Sequence, residues 1–194
     1  MRELLAPALR CALVLWLLCG IAYPLAATAL ARVFPFQAGG SLLRAPDGTV
    51  LGSSMIGQYW TTPRWFHGRP SATGSTPYDA GASGGSNFGP TSDALIRRLL
   101  ADRKALETSQ PELVGISLPA DMLTTSASGL DPEISVANAM LQTARVARAR
   151  GAPETAIRTL VARRVIERSL GVFGERRVNV LELNLALQRS FGNR

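Results

Sequence analysis

CALVLWLLCGIAYPLAATALA, residues 11–31, runs from Arg10 to Arg32 without a single charge. At roughly 1.5 Å per helical residue the stretch reaches about 30 Å, the thickness of a bilayer's hydrocarbon core. Lipid offers no hydrogen-bond partners, so a backbone crossing it must satisfy its own amides and has to be helical, with Pro24 tolerated as a local kink. The competing reading is a cleaved secretory signal, for which Arg2, the apolar middle and the small-residue runs at Ala27-Thr28-Ala29 and Ala29-Leu30-Ala31 would serve. The stretch is longer than the core of such a signal, and Trp16 and Tyr23 add bulk that such a core does not need. Either way the rest of the chain leaves the cytoplasm. The expected layout is a short cytoplasmic N-terminus (1–10), a transmembrane helix (11–31) and one exported domain (32–194) in the cell inner membrane.

The domain is of ordinary size and long enough to bury a core. Both cysteines, Cys11 and Cys19, lie in the apolar span, so no disulfide is expected outside it. The net charge of +7 rests on arginines scattered among acids, with Lys104 the one lysine, a pattern that does not read as a nucleic-acid surface.

Working outward from the span, Pro46-Asp47-Gly48 sits between Leu42-Leu43-Arg44 and Thr49-Val50-Leu51 and predicts a β-hairpin. Its second strand is expected to continue through 53–60, and its aromatics to join Trp65 and Phe66 against the core or a membrane face. A stretch rich in glycine, serine and proline follows (68–92), too long for a routine connection. Thr91 or Ser92 then caps a helix with Ala94, Leu95, Leu99 and Leu100 on its apolar side and Arg97, Arg98 and Arg103 in water. A short extended piece (114–118) leads to Pro119-Ala120-Asp121 and a second small-residue loop. Asp131 or Ser135 caps the next helix, which ends at Gly151. Pro153 starts another helix, through Val165. VNVLELNLAL (178–187) alternates like a strand, but Asn179 as a cap and Leu181, Leu185 and Gln188 at helical spacing favour a helix. The fold class is α+β, with a small antiparallel β part and about four helices after the span.

No catalytic constellation assembles with conviction. The single histidine, His67, could act as a base only with Ser83 or Ser86 and Asp79 beside it, and no G-x-S-x-G turn is present. Zinc would need more ligands than His67 offers. The glycines of 81–87 could form a backbone anion nest, but no Walker lysine accompanies them, and a loop shaped to let another backbone come close is the stronger reading. The arginines of 145–168 read chiefly as the solvated sides of two amphipathic helices, with lipid headgroups or an acidic partner face as the alternative.

Taken in order, several motifs are more informative than any one: Gly57-Gln58; Phe66-His67-Gly68-Arg69-Pro70-Ser71-Ala72; Ser83-Gly84-Gly85-Ser86-Asn87-Phe88-Gly89-Pro90; Pro119-Ala120-Asp121; Ser126-Ala127-Ser128-Gly129-Leu130-Asp131-Pro132; and Arg177-Val178-Asn179-Val180-Leu181-Glu182-Leu183-Asn184. On these the chain resembles the KdpC subunits of Kdp potassium-transporting P-type ATPases. Asp79 stands where asparagine is common in that family, and Trp60 and Trp65 are bulkier than expected.

The resemblance implies an accessory, non-catalytic subunit with no metal or cofactor of its own. Potassium and ATP are then handled by the complex, through a channel-like potassium-selecting subunit and an ATP-hydrolysing P-type subunit. This family has been described as a catalytic chaperone that raises ATP affinity; for an exported domain that effect must be indirect. The expected docking loops carry Ser83, Gly84, Gly85, Ser86 and Asn87 on one side and Ser128, Gly129 and Asp131 on the other, with Arg69 and Tyr78 beside them. Lipid is the other partner. A freestanding membrane-anchored module that binds envelope polymer is the alternative.

Overall fold

The computed structural model describes residues 2–192. The chain separates into two compact units, Met1–Leu51 and Gly52–Arg194. In the first, α1 (Arg2–Leu17), a single π-turn (Leu18–Ala22) and α2 (Tyr23–Ala31) follow one another without a break. Within them Leu4–Ala31 is long and apolar enough to cross a membrane. The π-turn has a local cause. Pro24 lacks an N–H and its ring presses on the carbonyl four residues earlier, at Gly20, so the turn around Gly20 widens.

A short helix, α3 (Pro35–Ala38), leads to β1 (Leu42–Arg44) and β2 (Val50–Ser53). The expected hairpin is present. Asp47 accepts a hydrogen bond from Thr49 N at 2.9 Å, and Gly48 takes the positive φ, +86°, that the turn requires. The second strand does not continue through 53–60. It stops at Ser53, and beyond it Ser54 O accepts from Asn179 Nδ2 at 2.8 Å and Gly57 N donates to Leu130 O at 2.8 Å.

In the second unit four longer helices follow: α4 (Asp93–Ser109), α5 (Val136–Arg150), α6 (Glu154–Ala162) and α7 (Val180–Phe191). Two three-residue strands, β3 (Glu133–Ser135) and β4 (Arg177–Asn179), pair antiparallel with Ile134 opposite Val178. Each strand runs straight into a helix, β3 into α5 and β4 into α7, and the last strand residue is the cap. Ser135 Oγ accepts from Asn138 N at 3.1 Å, and Asn179 Oδ1 from Glu182 N at 3.1 Å. Gly151 ends α5 in the left-handed conformation, and Ser92 caps α4. Pro153 is the cap of α6, one position before its first turn, and α6 stops at Ala162. The extended piece expected at 114–118 is a turn at Gly115 followed by irregular chain.

The core gathers Ile134, Val146, Ile157, Val161, Val178, Leu183 and Leu187 from these strands and helices, with Phe66 inserted from the long loop. Trp60 and Trp65 pack on its edge, their rings 4.9 Å apart. By contrast α4 buries no residue fully. Leu100 is exposed, and Arg98 turns back to donate to Leu123 O at 3.4 Å instead of facing water.

Candidate functional site

The long loop between β2 and α4 has no regular structure to carry its backbone groups, so helix side chains do it. The Asn184 amide bridges the peptide groups of Phe66: Oδ1 accepts from Phe66 N at 2.9 Å, and Nδ2 donates to Phe66 O at 3.0 Å. Gln142 treats His67 in the same way, at 2.8 and 3.0 Å. Together α7 and α5 hold this loop as a strand neighbour would. Arg145 donates from Nη1 to Pro63 O and Trp65 O at 2.8 and 2.9 Å, and Arg150 donates from Nε to Arg64 O at 2.8 Å while stacking on Trp65. These two arginines are buried, not solvated as their helical spacing suggested. Burial pushes the Arg145 guanidinium down to about 10, partly offset by Glu112.

Held this way, the loop meets the other motif-bearing segment. Arg69 pairs with Asp131 at 3.0 Å and donates to Thr125 O at 3.2 Å. Tyr78 donates its hydroxyl to Arg69 O at 2.6 Å; a Cβ at Gly57 would strike its ring and one at Gly68 its hydroxyl. Burial first, and the Asp131 charge second, raise the Tyr78 phenol to about 12, with Arg69 opposing, so it remains a donor.

The two glycine-rich loops then touch backbone to backbone. Gly84 N donates to Ser128 O at 2.9 Å, and Ser83 Oγ donates to the same carbonyl at 3.0 Å. The Ser86 and Thr125 hydroxyls are 3.2 Å apart. A Cβ on Gly85 would come within 2.8 Å of Ala127 O, and one on Gly129 within 2.7 Å of Gly84 O. The glycines therefore admit another backbone, as the sequence suggested, and the amide of Gly84 is spent within the chain rather than turned to an anion.

Nine of the ten predicted docking residues fall in this one cluster, and Asn87, the tenth, is exposed beside it with φ +52°. Asp131 does not cap α5. Its Oδ1 accepts from Glu133 N at 2.9 Å and its Oδ2 serves Arg69, while Asp121 supports the Ser135 cap by accepting from Ser135 N at 2.7 Å and Asn138 Nδ2 at 3.0 Å. Ser71 and Thr73 were not singled out by sequence reasoning, yet they tie the cluster. Ser71 Oγ donates to Gly129 O at 2.7 Å and accepts from Tyr78 N at 3.0 Å, and Thr73 Oγ1 accepts from Asp79 N at 3.0 Å. Both belong to or adjoin the Arg-Pro-Ser-Ala motif, which was the available signal.

The hydrolase constellation is not assembled by these bonds. His67 Nε2 lies 2.9 Å from Thr62 O and 3.3 Å from Arg145 Nη1, Ser83 and Ser86 are engaged as above, and Asp79 Oδ1 accepts from Gly81 N at 2.8 Å. That last task needs an acceptor oxygen alone, so aspartate and asparagine serve it equally. No group of three potential metal ligands occurs among the described residues. A cleft of about 610 Å³ opens beside the cluster, bordered by Tyr59, Trp60, His67, Arg69, Tyr78 and Leu106. Trp60 Nε1 and Arg69 Nε, at its margin, are buried donors with no acceptor among the described residues.

The family model for the K+-transporting ATPase, c chain, matches residues 5–189. This chain belongs to the KdpC family. The potassium-transporting ATPase KdpC subunit of Caulobacter vibrioides is 53% identical over 175 residues, covering 90% of this chain and 87% of the relative. That of Methylobacterium nodulans is 50% identical over 204 residues, covering 99% and 100%. That of Sorangium cellulosum is 53% identical over 184 residues, covering 94% and 96%. The matched span takes in both the apolar helix and the loop cluster, so the KdpC family signature and the interlocked motifs fall on the same residues.

Proposed function

We propose that the chain works as the single-pass KdpC subunit of an ATP-driven potassium uptake complex in the cell inner membrane. It contacts a channel-like potassium-selecting subunit and an ATP-hydrolysing P-type subunit and performs no bond-breaking chemistry itself. One observation carries the reading: the polar groups of the motif loops are used on one another, through Arg69–Asp131, Gly84–Ser128 and Ser71–Gly129, which makes a stiff platform with Ser83, Asn87, Phe88 and Ser128 exposed at its edge. A surface set rigid in advance spends little ordering entropy on docking.

In this reading the span anchors the subunit, the folded unit lies outside the cytoplasm and the platform docks on the outer face of the channel-like subunit. Any rise in the pump's ATP affinity then comes indirectly, through differential contact with two conformations of its partners. Topology is tested with a membrane-impermeant thiol reagent on Ala82→Cys in intact cells, Cys11 and Cys19 having been replaced. Labelling from outside supports the arrangement, and protection until the cytoplasm is opened overturns it. Docking is tested by copurification. Asn87→Asp with Phe88→Asp should release the chain from its partner subunits, and undiminished copurification would reject this platform as the interface.

A further inference from the structure

Between α6 and β4 the chain leaves the fold in a small hairpin. Ile166 and Arg177 exchange backbone hydrogen bonds at 2.8 and 3.1 Å, and Ser169 and Phe173 do so at 2.9 Å each. Its tip is apolar and almost fully in water: Leu170 is 89% exposed, Val172 70% and Phe173 66%. Leu170 has φ +54°, a conformation that costs a leucine energy and that nothing in its own packing repays.

Three features of this tip match one kind of surface. Most of its apolar residues bring paired amides, with Val172 N donating to Ser169 O at 3.2 Å and Phe173 N to Ser169 O at 2.9 Å, and Gly171 N donates to Arg168 O at 3.0 Å, which lowers the cost of leaving water. Cross-hairpin ion pairs, Arg168–Glu175 and Arg176–Glu167, stiffen the stem. Residues 163–177 hold five arginines and two glutamates, and Arg163 and Arg164 at the foot are exposed and make no ion pair among the described residues. An apolar tip with an arginine-rich collar suits an anionic phospholipid surface. The same chain carries the helix Leu4–Ala31, so, given that this helix is a membrane anchor, a bilayer is always within tether reach.

We infer that Leu170, Val172 and Phe173 enter the boundary between headgroups and acyl chains of that bilayer, about 5–10 Å deep, while the collar arginines contact lipid phosphates. The hairpin is thus a second membrane contact that limits how the folded unit can turn on its tether.

The test uses the full chain with Cys11 and Cys19 replaced, reconstituted in phosphatidylcholine vesicles containing a minority of phosphatidylglycerol. An environment-sensitive fluorophore is placed on Phe173→Cys and, as reference, on Thr155→Cys, an exposed site of α6. Flotation of the chain with the vesicles establishes the anchor separately. A shallow lipid-borne nitroxide should quench the probe at 173 several-fold more than the reference, and Leu170→Asp with Val172→Asp should bring it down to the reference level. Omitting phosphatidylglycerol should weaken the quenching. Equal quenching at both positions in floated vesicles overturns the inference. So does a probe at 173 that becomes shielded only when the other pump subunits are present, since the tip would then contact protein.

Discussion

Asn184 and Phe66 are both fully buried, and the amide of one closes a two-point hydrogen-bonded ring on the backbone of the other, at 2.9 and 3.0 Å, across 118 residues of sequence. The bond pair does for the long loop what a neighbouring strand does for an edge, and it places the Arg69 to Ser71 segment that follows.

Replacing Asn184 with leucine keeps the volume but strands a buried N–H and a buried C=O at Phe66. At about 1–3 kcal/mol for each unsatisfied group, Asn184→Leu should cost roughly 2–6 kcal/mol. Urea unfolding of the detergent-solubilised chain, followed by tryptophan fluorescence, measures the loss. Hydrogen exchange at the Phe66 and His67 amides should rise from among the slowest in the unit to the rate of its exposed loops. A Leu variant as stable as the parent would mean the ring is incidental.

Gly129 and Gly151 both have positive φ, +69° and +60°, but their surroundings differ. A Cβ at Gly151 meets nothing within 4 Å, whereas one at Gly129 meets Gly84 O at 2.7 Å and the Thr73 backbone N at 3.2 Å. Gly151→Ala should therefore carry the conformational cost alone, about 1–2 kcal/mol. Gly129→Ala adds overpacking of about 1–3 kcal/mol and should also separate the two loops. Comparing the urea midpoints of the two variants isolates the close approach, and equal losses would show that backbone strain is the whole effect.

Much of this was legible beforehand. Ser92, Gly151 and Asn179 carry cap chemistry in their own side chains or in the lack of one, so a short window of sequence names them. The glycine-rich run at 81–87 likewise announces a close backbone approach, which the structure realises at Gly85. Other features depend on partners far away in sequence. β3 and β4 are three residues each, too short for alternation to register, and exist because Ile134 and Val178 face one another. The second strand was expected to run on past Ser53 because its residues suit a strand, but a strand also needs a neighbour. Arg145 and Arg150 looked solvated because helical spacing says nothing about loop carbonyls arriving from residues 63–65. Tertiary polar contacts of this kind have no local signature.

Tyr78 ties the long loop back on itself through a single hydroxyl, at the residue that pairs with Asp131. Tyr78→Phe leaves the ring between Gly57 and Gly68 and removes only the 2.6 Å bond to Arg69 O, so the loss should be about 1 kcal/mol. The parent phenol should titrate near pH 12, above the ordinary tyrosine value of 10. Ultraviolet absorbance during alkaline titration, with Tyr78→Phe as the difference, assigns the late step. A Tyr78 phenol that ionises at the ordinary value of 10 would contradict its buried, donating role.

His67 supplies the pH dependence. Burial, and then the adjacent Arg145 charge, lower its imidazole from 6.5 to about 4, with the contact to Thr62 O opposing. The unfolded chain therefore takes up this proton at a higher pH than the folded one. Between pH 6.5 and 4 the unfolded state binds more protons, so stability is complete above pH 6.5 and falls as the solution is acidified through that window. The size of the effect is at most about 3 kcal/mol, at 1.36 kcal/mol for each pH unit. His67→Gln keeps the backbone bonds to Gln142 and removes the titration, so its stability should be flatter than the parent's across this interval. Nuclear magnetic resonance of the single imidazole checks the cause directly: a midpoint near 4 accounts for the slope, and a midpoint near 6.5 would remove His67 as its source.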